Sequence, residues 1–235
     1  MARLPRISVS EVPQHIIQRG NNRQVCFANE EDFIAYIGWL KKYSQKFQVD
    51  VHAWVLMTNH VHLLCTPHTA EAIGKMMQSI GRCYVRYFNK SYQRTGTLWE
   101  GRYKACLVQE ENYLLQVYRY IELNPVRAGM VAHPQEYVWS SYQINALGRS
   151  SELCQPHALY LALGNDPEHQ QKHYQALVNE GLSSDQLITI RNSVNKACVL
   201  GNERFSNQIT ALTGKRLPTG KVGRQLGWRK LKDMK

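Results

Sequence analysis

His60, Val61 and His62 form a triplet in which two imidazoles flank one apolar residue. In a strand, residues i and i+2 project from the same face, so both rings converge while Val61 turns to the opposite, core face. Two neutral imidazole nitrogens on one face suit a divalent cation. Alone, such a triplet is more commonly a pair of half-buried polar residues. Tyr113 is the second candidate, near the start of a helical stretch. A tyrosine hydroxyl can attack phosphorus when a cation neutralises the phosphate. Packing is the ordinary fate of most of the 13 tyrosines in the chain, and periodicity does not separate the two readings. Tyr118 and Tyr120 compete with Tyr113 and read more simply as packing residues.

The elements that must position these residues follow from pattern. Gln14 to Arg19 reads as a strand that ends in the turn cluster Gly20, Asn21 and Asn22. Asn29 caps a helix from Glu30 to about Lys46, with Phe33, Ile34, Ile37, Leu40 and Tyr43 at helical spacing. Val49 to Leu56 and Val61 to Cys65 pair as a hairpin across Met57, Thr58 and Asn59. Thr69 caps a second helix to about Asn89, Arg102 to Val108 has strand character, and Glu110 and Glu111 open a third helix that stops at Asn124 and Pro125. The order β-α-β-β-α-β-α begins as a split βαβ unit, an α+β antiparallel sheet backed by helices. Residues 132–166 read as a connector, and helical stretches near Pro167 to Glu180 and Ser184 to Leu200 lead into a basic, helical C-terminal extension. The expected division is therefore 1–131, 132–166 and 167–235.

Charge points to an anionic partner. The 235 residues carry 29 Lys and Arg against 18 Asp and Glu, a formal net charge of +11, and nucleic acid heads the list of partners for such a balance. From Arg191 onward there are 11 Lys and Arg against two acids, interrupted by Pro218 and several glycines. A membrane-surface helix needs an unbroken apolar face, so a phosphate backbone suits this tail better. The six cysteines are dispersed without CxxC pairs, the N-terminus lacks a secretory core, and no apolar run approaches the roughly 20 residues needed to span a bilayer. A cytoplasmic protein without a membrane partner is the expectation.

Several spaced motifs occur together: Thr58-Asn59-His60-Val61-His62-Leu63-Leu64, Trp99-Glu100-Gly101-Arg102-Tyr103-Lys104, Asn112-Tyr113-Leu114-Leu115, and Arg119-Tyr120-Ile121-Glu122-Leu123-Asn124-Pro125-Val126-Arg127-Ala128-Gly129. Together, over roughly Pro5 to Tyr142, they resemble the single-tyrosine HUH transposases of the IS200-like group, and within it the REP-associated tyrosine transposases. The resemblance implies a ferredoxin-like sheet, which agrees with the element order. It further implies that His60 and His62 bind Mg²⁺ or Mn²⁺, and that Tyr113 attacks a DNA phosphate to give a 5′-phosphotyrosine and a free 3′-OH. Hairpin-forming, REP-like single-stranded DNA is the implied substrate, with no nucleotide cofactor, because transesterification conserves the phosphodiester.

The family commonly draws a third metal ligand from the tyrosine helix, about one turn after the nucleophile. Counted from Tyr113 that position is Val117, which cannot ligate. Gln116 shares roughly the same helical face and offers a carbonyl oxygen instead. Arg102, Lys104 and Arg127, together with Arg19 and Asn21 after the first strand, are candidate DNA contacts, as are Lys215, Arg216 and Arg224 in the tail. Three rivals remain open at this stage: a DNA-binding module without catalysis, a rolling-circle initiator-type nickase, and a metal-dependent hydrolase that uses water. Monomer and homodimer are equally compatible with the sequence.

Overall fold

Four strands form one antiparallel sheet in the computed structural model, which describes residues 6–215. They are β1 (Gln14–Arg19), β2 (Val49–Met57), β3 (His60–Pro67) and β4 (Lys104–Leu107), in the spatial order β2-β3-β1-β4. Helices α1 (Glu30–Phe47) and α2 (Ala72–Ser91) are the two crossovers. This is the ferredoxin-like split βαβ arrangement expected from the element order. The Asn29 side chain accepts from the Asp32 amide, and Asp32 answers the backbone of Asn29, a complete capping box that fixes the start of α1. Helix α2 begins later than expected: its N-cap is Glu71, without a side-chain bond, rather than Thr69.

Alternation divides the sheet into two buried faces. Ile16, Val51, Trp54, Leu56, Val61 and Leu63 face α1 and α2, where they meet Phe33, Tyr36, Leu40, Met76, Ile80 and Tyr84. Ile17, Ala53, Val55, Leu64 and Cys106 face the other way, onto α3 (Glu110–Glu122). Both faces being covered explains why the strands read as almost continuous apolar runs.

The C-terminal half is built onto this second face. After the short helix α4 (Asn124–Arg127) come α5 (Tyr142–Asn145), α6 (Ala158–Leu161), α7 (Pro167–Asn179), α8 (Ser184–Lys196) and α9 (Glu203–Thr213). Tyr160, Tyr174, Val178, Ile190 and Val194 enter the same core as α3. Residues 132–166, expected as a connector, instead cover the outer edge of β2. Leu56 donates its amide to the Trp139 carbonyl, Ser141 to Trp54 and Gln155 to Val51, and the Tyr137 hydroxyl donates to the Leu56 carbonyl. An open strand edge is costly, and this segment satisfies it. No described helix is long and apolar enough to cross a membrane.

Candidate active site

Strand register assembles the histidines. Antiparallel pairing sets Arg19 opposite His60, Ile17 opposite His62 and His15 opposite Leu64. Cross-strand partners share a face, so His15 and Arg19 of β1 lie on the same side of the sheet as His60 and His62 of β3, beneath α3. The tight turn after β1 depends on Gly20, where a Cβ would lie 2.3 Å from the Gln24 carbonyl oxygen. The Gly20 amide donates to the Asn59 carbonyl at 2.8 Å, which ties this turn to the residue preceding His60.

The two predicted ligands converge as strand geometry requires. Their ring centroids are 5.1 Å apart at an interplanar angle of 83°. Nδ1 of His60 bonds the Asn59 side-chain oxygen at 2.6 Å, and Nδ1 of His62 bonds Nε2 of His15 at 2.8 Å. The outer nitrogens, Nε2, are thereby the ring atoms left to coordinate a cation, were one bound. Burial, followed by the charge of Arg19, lowers the His60 pKa to about 4. His62, at 2% exposure, is held well below its ordinary value by burial and then by its histidine and arginine neighbours. Both are neutral at pH 7, the form that binds metals.

Helix α3 does not bring Tyr113 to these rings. It starts from the end of β4 that pairs with Gln14, remote from the Arg19–His60 end of the sheet, and climbs toward the histidines. Only its last turn arrives. Tyr113 precedes Tyr120 by two turns, a rise of about 10 Å, and sits half-buried against the C-terminal core. Tyr120 is the tyrosine at the site: its ring centroid is 5.7 Å from that of His62 and 5.6 Å from that of His15. Gln116 turns its amide back along α3 to the Asn112 carbonyl at 2.6 Å and makes no bond to either histidine.

Asn124 follows Tyr120 by one helical turn, and its side chain lies beside the His60 ring. Arg127 folds back over Tyr120, its guanidinium carbon 4.4 Å from the ring centroid, and donates to the Tyr120 carbonyl at 2.6 Å. Desolvation lowers its pKa to about 10, which still leaves it cationic at neutral pH. Exposed Arg191 of α8 lies close enough for its charge to act on Arg127. No carboxylate is within ion-pair distance of Arg19, Arg127 or Arg191 among the described residues. A positive rim without counter-charges is suited to phosphate.

The remaining sequence candidates are spread more widely. Asn21 is exposed in the turn after β1 and anchors through its amide to the Leu98 carbonyl. Arg102 is exposed beside Tyr103, and Lys104 extends to the Asn195 side chain of α8 at 3.5 Å. Lys215 is exposed just beyond α9, while Arg216 and Arg224 fall outside the described residues. Sequence reading missed Asn124 and His15, and placed Arg191 only among the basic residues of the C-terminal tail. A one-turn spacing from Tyr120 could have indicated Asn124; His15 and Arg191 needed the tertiary register.

Among the described residues, no group of three or more His, Cys, Asp or Glu is spaced to hold a metal. The donors available are two imidazole nitrogens and the amide oxygen of Asn124. That mixed nitrogen and oxygen set fits Mg²⁺ or Mn²⁺ once water or a phosphate oxygen completes the shell.

Such a histidine pair and arginine rim suit chemistry on a phosphodiester. The family model described as "Transposase IS200 like" matches residues 8–124, which include the four strands, both histidines, both tyrosines and Asn124. The chain belongs to the IS200-like transposase family, enzymes that act on DNA. Among solved structures, a REP-associated tyrosine transposase bound to a REP hairpin aligns with a TM-score of 0.52 and 16% identity, over 67% of this chain and 93% of the other. At that identity the likeness establishes the fold. A putative transposase from Deinococcus radiodurans R1 aligns with a TM-score of 0.35 and 21% identity, over 52% of this chain and 96% of its own. No curated protein matches the chain in sequence.

Proposed function

We propose that this transposase cuts and rejoins single-stranded DNA through a covalent bond to Tyr120, beside a divalent cation held by His60, His62 and Asn124. The observation that carries the reading is the last turn of α3 and the start of α4, which set Tyr120 against the His62 ring and Asn124 beside the His60 ring. The third ligand thereby falls one turn after the nucleophile, the spacing that failed when counted from Tyr113. All these residues belong to one chain, so the reading needs no partner subunit at the site.

In the cutting step the Tyr120 oxygen forms a bond to phosphorus as its proton passes to solvent. The bond from phosphorus to the 3′-oxygen breaks, and that oxygen takes up a proton. The product is a 5′-phosphotyrosine and a free 3′-OH. Attack by another 3′-OH reverses the exchange and joins strands without ATP. Bound Mg²⁺ or Mn²⁺ supplies Lewis-acid polarisation and orientation of the phosphate. Arg127 balances negative charge at the reacting phosphate, and Arg19 and Arg191 hold neighbouring phosphates.

Hairpin-forming, REP-like DNA is the proposed substrate. The fold shared with a transposase solved on a REP hairpin supports it, as does the basic balance of the chain. The decisive experiment incubates the protein with a labelled hairpin bearing a single-stranded flank and Mn²⁺, then maps the adduct by mass spectrometry. A phosphopeptide modified at Tyr120 and linked to the 5′ fragment supports the reading. Modification at Tyr113 reassigns the nucleophile, and the absence of any adduct or nick refutes covalent catalysis.

A further inference from the structure

His15 is 0% exposed in strand β1, and it forms a single side-chain hydrogen bond, between its Nε2 and Nδ1 of His62. Its own Nδ1 is buried without a partner. His52, the other deeply buried histidine away from the site, behaves differently. Both its nitrogens are satisfied, one by the Gln155 carbonyl at 2.6 Å and one by the Thr66 hydroxyl at 2.8 Å, as a structural histidine's should be. A leucine would fill the His15 position without leaving an orphaned polar atom. The one thing leucine could not do is bond to His62.

We infer that His15 is a positioning residue that fixes the ring and tautomer of His62, so that Nε2 of His62 presents its lone pair to the cation. This rests on the assignment of His60 and His62 as metal ligands. The argument is one of proton placement. A neutral imidazole carries one N–H. When His62 donates Nδ1–H to Nε2 of His15, its outer nitrogen is free to coordinate. When the bond runs the other way, that nitrogen holds the proton and cannot coordinate. His60 receives the equivalent service from Asn59, whose side-chain oxygen can only accept and so requires Nδ1–H on His60. The His15 and His62 ring planes lie within 28° of parallel with centroids 5.0 Å apart, the edge-to-edge, near-coplanar arrangement that directs an N–H of one ring at the lone pair of the other.

The test compares wild type, His15→Leu and His15→Gln by Mn²⁺ titration, followed by electron paramagnetic resonance, with thermal melting in parallel. Loss of a partner of this kind typically weakens metal binding about 10- to 100-fold. The expected result is that weakening in His15→Leu with no fall in melting temperature, and partial recovery in His15→Gln, whose amide oxygen can accept from Nδ1. A purely structural His15 predicts the reverse: wild-type Mn²⁺ affinity with altered melting. A second measurement needs no variant. Nitrogen-15 correlation spectra of the wild-type imidazoles, recorded during Mg²⁺ titration, should show His62 protonated at Nδ1 in the bound state. Protonation at Nε2 overturns the proposal. Wild type that binds no Mn²⁺ removes the metal assignment and this inference with it; tight binding by both wild type and His15→Leu removes this inference alone.

Discussion

The Tyr120 ring stands edge-on to the His62 ring, the planes at 81° and the centroids 5.7 Å apart. Tyr120 is only 5% exposed, whereas Arg19, His60, Asn124 and Arg127 around it are half-exposed. The site therefore opens to solvent on the His60 side. Tyr120→Phe keeps the ring and its packing and removes only the attacking oxygen. Covalent adduct and cleavage should fall by about a thousandfold or more, as when other covalent nucleophiles are removed. Tyr113→Phe should retain cleavage within about threefold, because Tyr113 stands about 10 Å away along the helix. Single-turnover cleavage of a hairpin substrate measures both, and the opposite pattern would restore Tyr113 as the nucleophile.

Asn124 provides a check on the cation shell that does not depend on turnover. If its amide oxygen is a ligand, Asn124→Ala should weaken Mn²⁺ binding about tenfold, the equivalent of about 1.4 kcal/mol. Asn124→Asp should bind at least as tightly, since a carboxylate oxygen is a stronger ligand for hard cations. Calorimetric titration of the DNA-free protein reads both values. Equal affinity for wild type and alanine would remove Asn124 from the cation shell.

Much of this architecture was legible in the sequence because it was local. The Asn29 cap, the Asn124-Pro125 stop and the β-branched, apolar run of Val49–Leu56 depend on neighbours a few residues away, and each of these elements appears within a few residues of its expected bounds. His60 and His62 were legible for the same reason, since period two fixes their shared face. The choice between Tyr113 and Tyr120 was not. Both lie on the same face of one helix, and only the direction in which α3 crosses the sheet decides which reaches the histidines. His15 contacts His62 across 47 residues of chain, a relation that exists only in the register. Residues 132–166 read as a connector because their helical pieces are only four residues long and their bonds to the edge of β2 exist only in the tertiary structure.

Acid should destabilise the fold through its buried imidazoles. Burial lowers His15 to about 3 and His52 to about 4, against about 6.5 in an unfolded chain. Above pH 6.5 these groups are neutral in both states and contribute no pH dependence. As the pH falls below 6.5, the unfolded chain takes up protons that the native state refuses, and stability is lost until about pH 4 for His52 and about pH 3 for His15. At pH 5 the loss is about 2 kcal/mol per fully buried imidazole. Glu122 acts in the opposite sense, since burial raises its pKa to about 7 from 4.5; its contribution is largest below pH 4.5 and declines as the pH rises to 7. Two fully countable histidines, with His60 and His62 adding to them, outweigh one carboxyl. The melting temperature should fall from pH 7 to pH 5, and a flat or rising profile would contradict the neutral assignment.

Glu122 also joins the tyrosine helix to the C-terminal half. It is fully buried, two residues after Tyr120 and two before Asn124. Its carboxyl accepts from the Ser141 hydroxyl at 2.5 Å, the Asn145 amide at 2.8 Å and the Tyr174 hydroxyl at 2.7 Å. Two of these donors also bind β2: Ser141 accepts from the Trp54 amide, and Asn145 donates to the His52 carbonyl. One carboxyl thus holds α3, β2, α5 and α7 in register. Glu122→Leu leaves three buried donors without their acceptor and should cost about 3–5 kcal/mol in urea denaturation, the range for breaking a buried charged network. Glu122→Gln keeps one acceptor oxygen and the side-chain volume, so it should lose less. If the network sets the pose of α3, Glu122→Gln should also slow adduct formation while hairpin affinity stays unchanged, because the DNA-facing arginines are untouched. A glutamine variant with reduced stability and wild-type cleavage would confine Glu122 to the core.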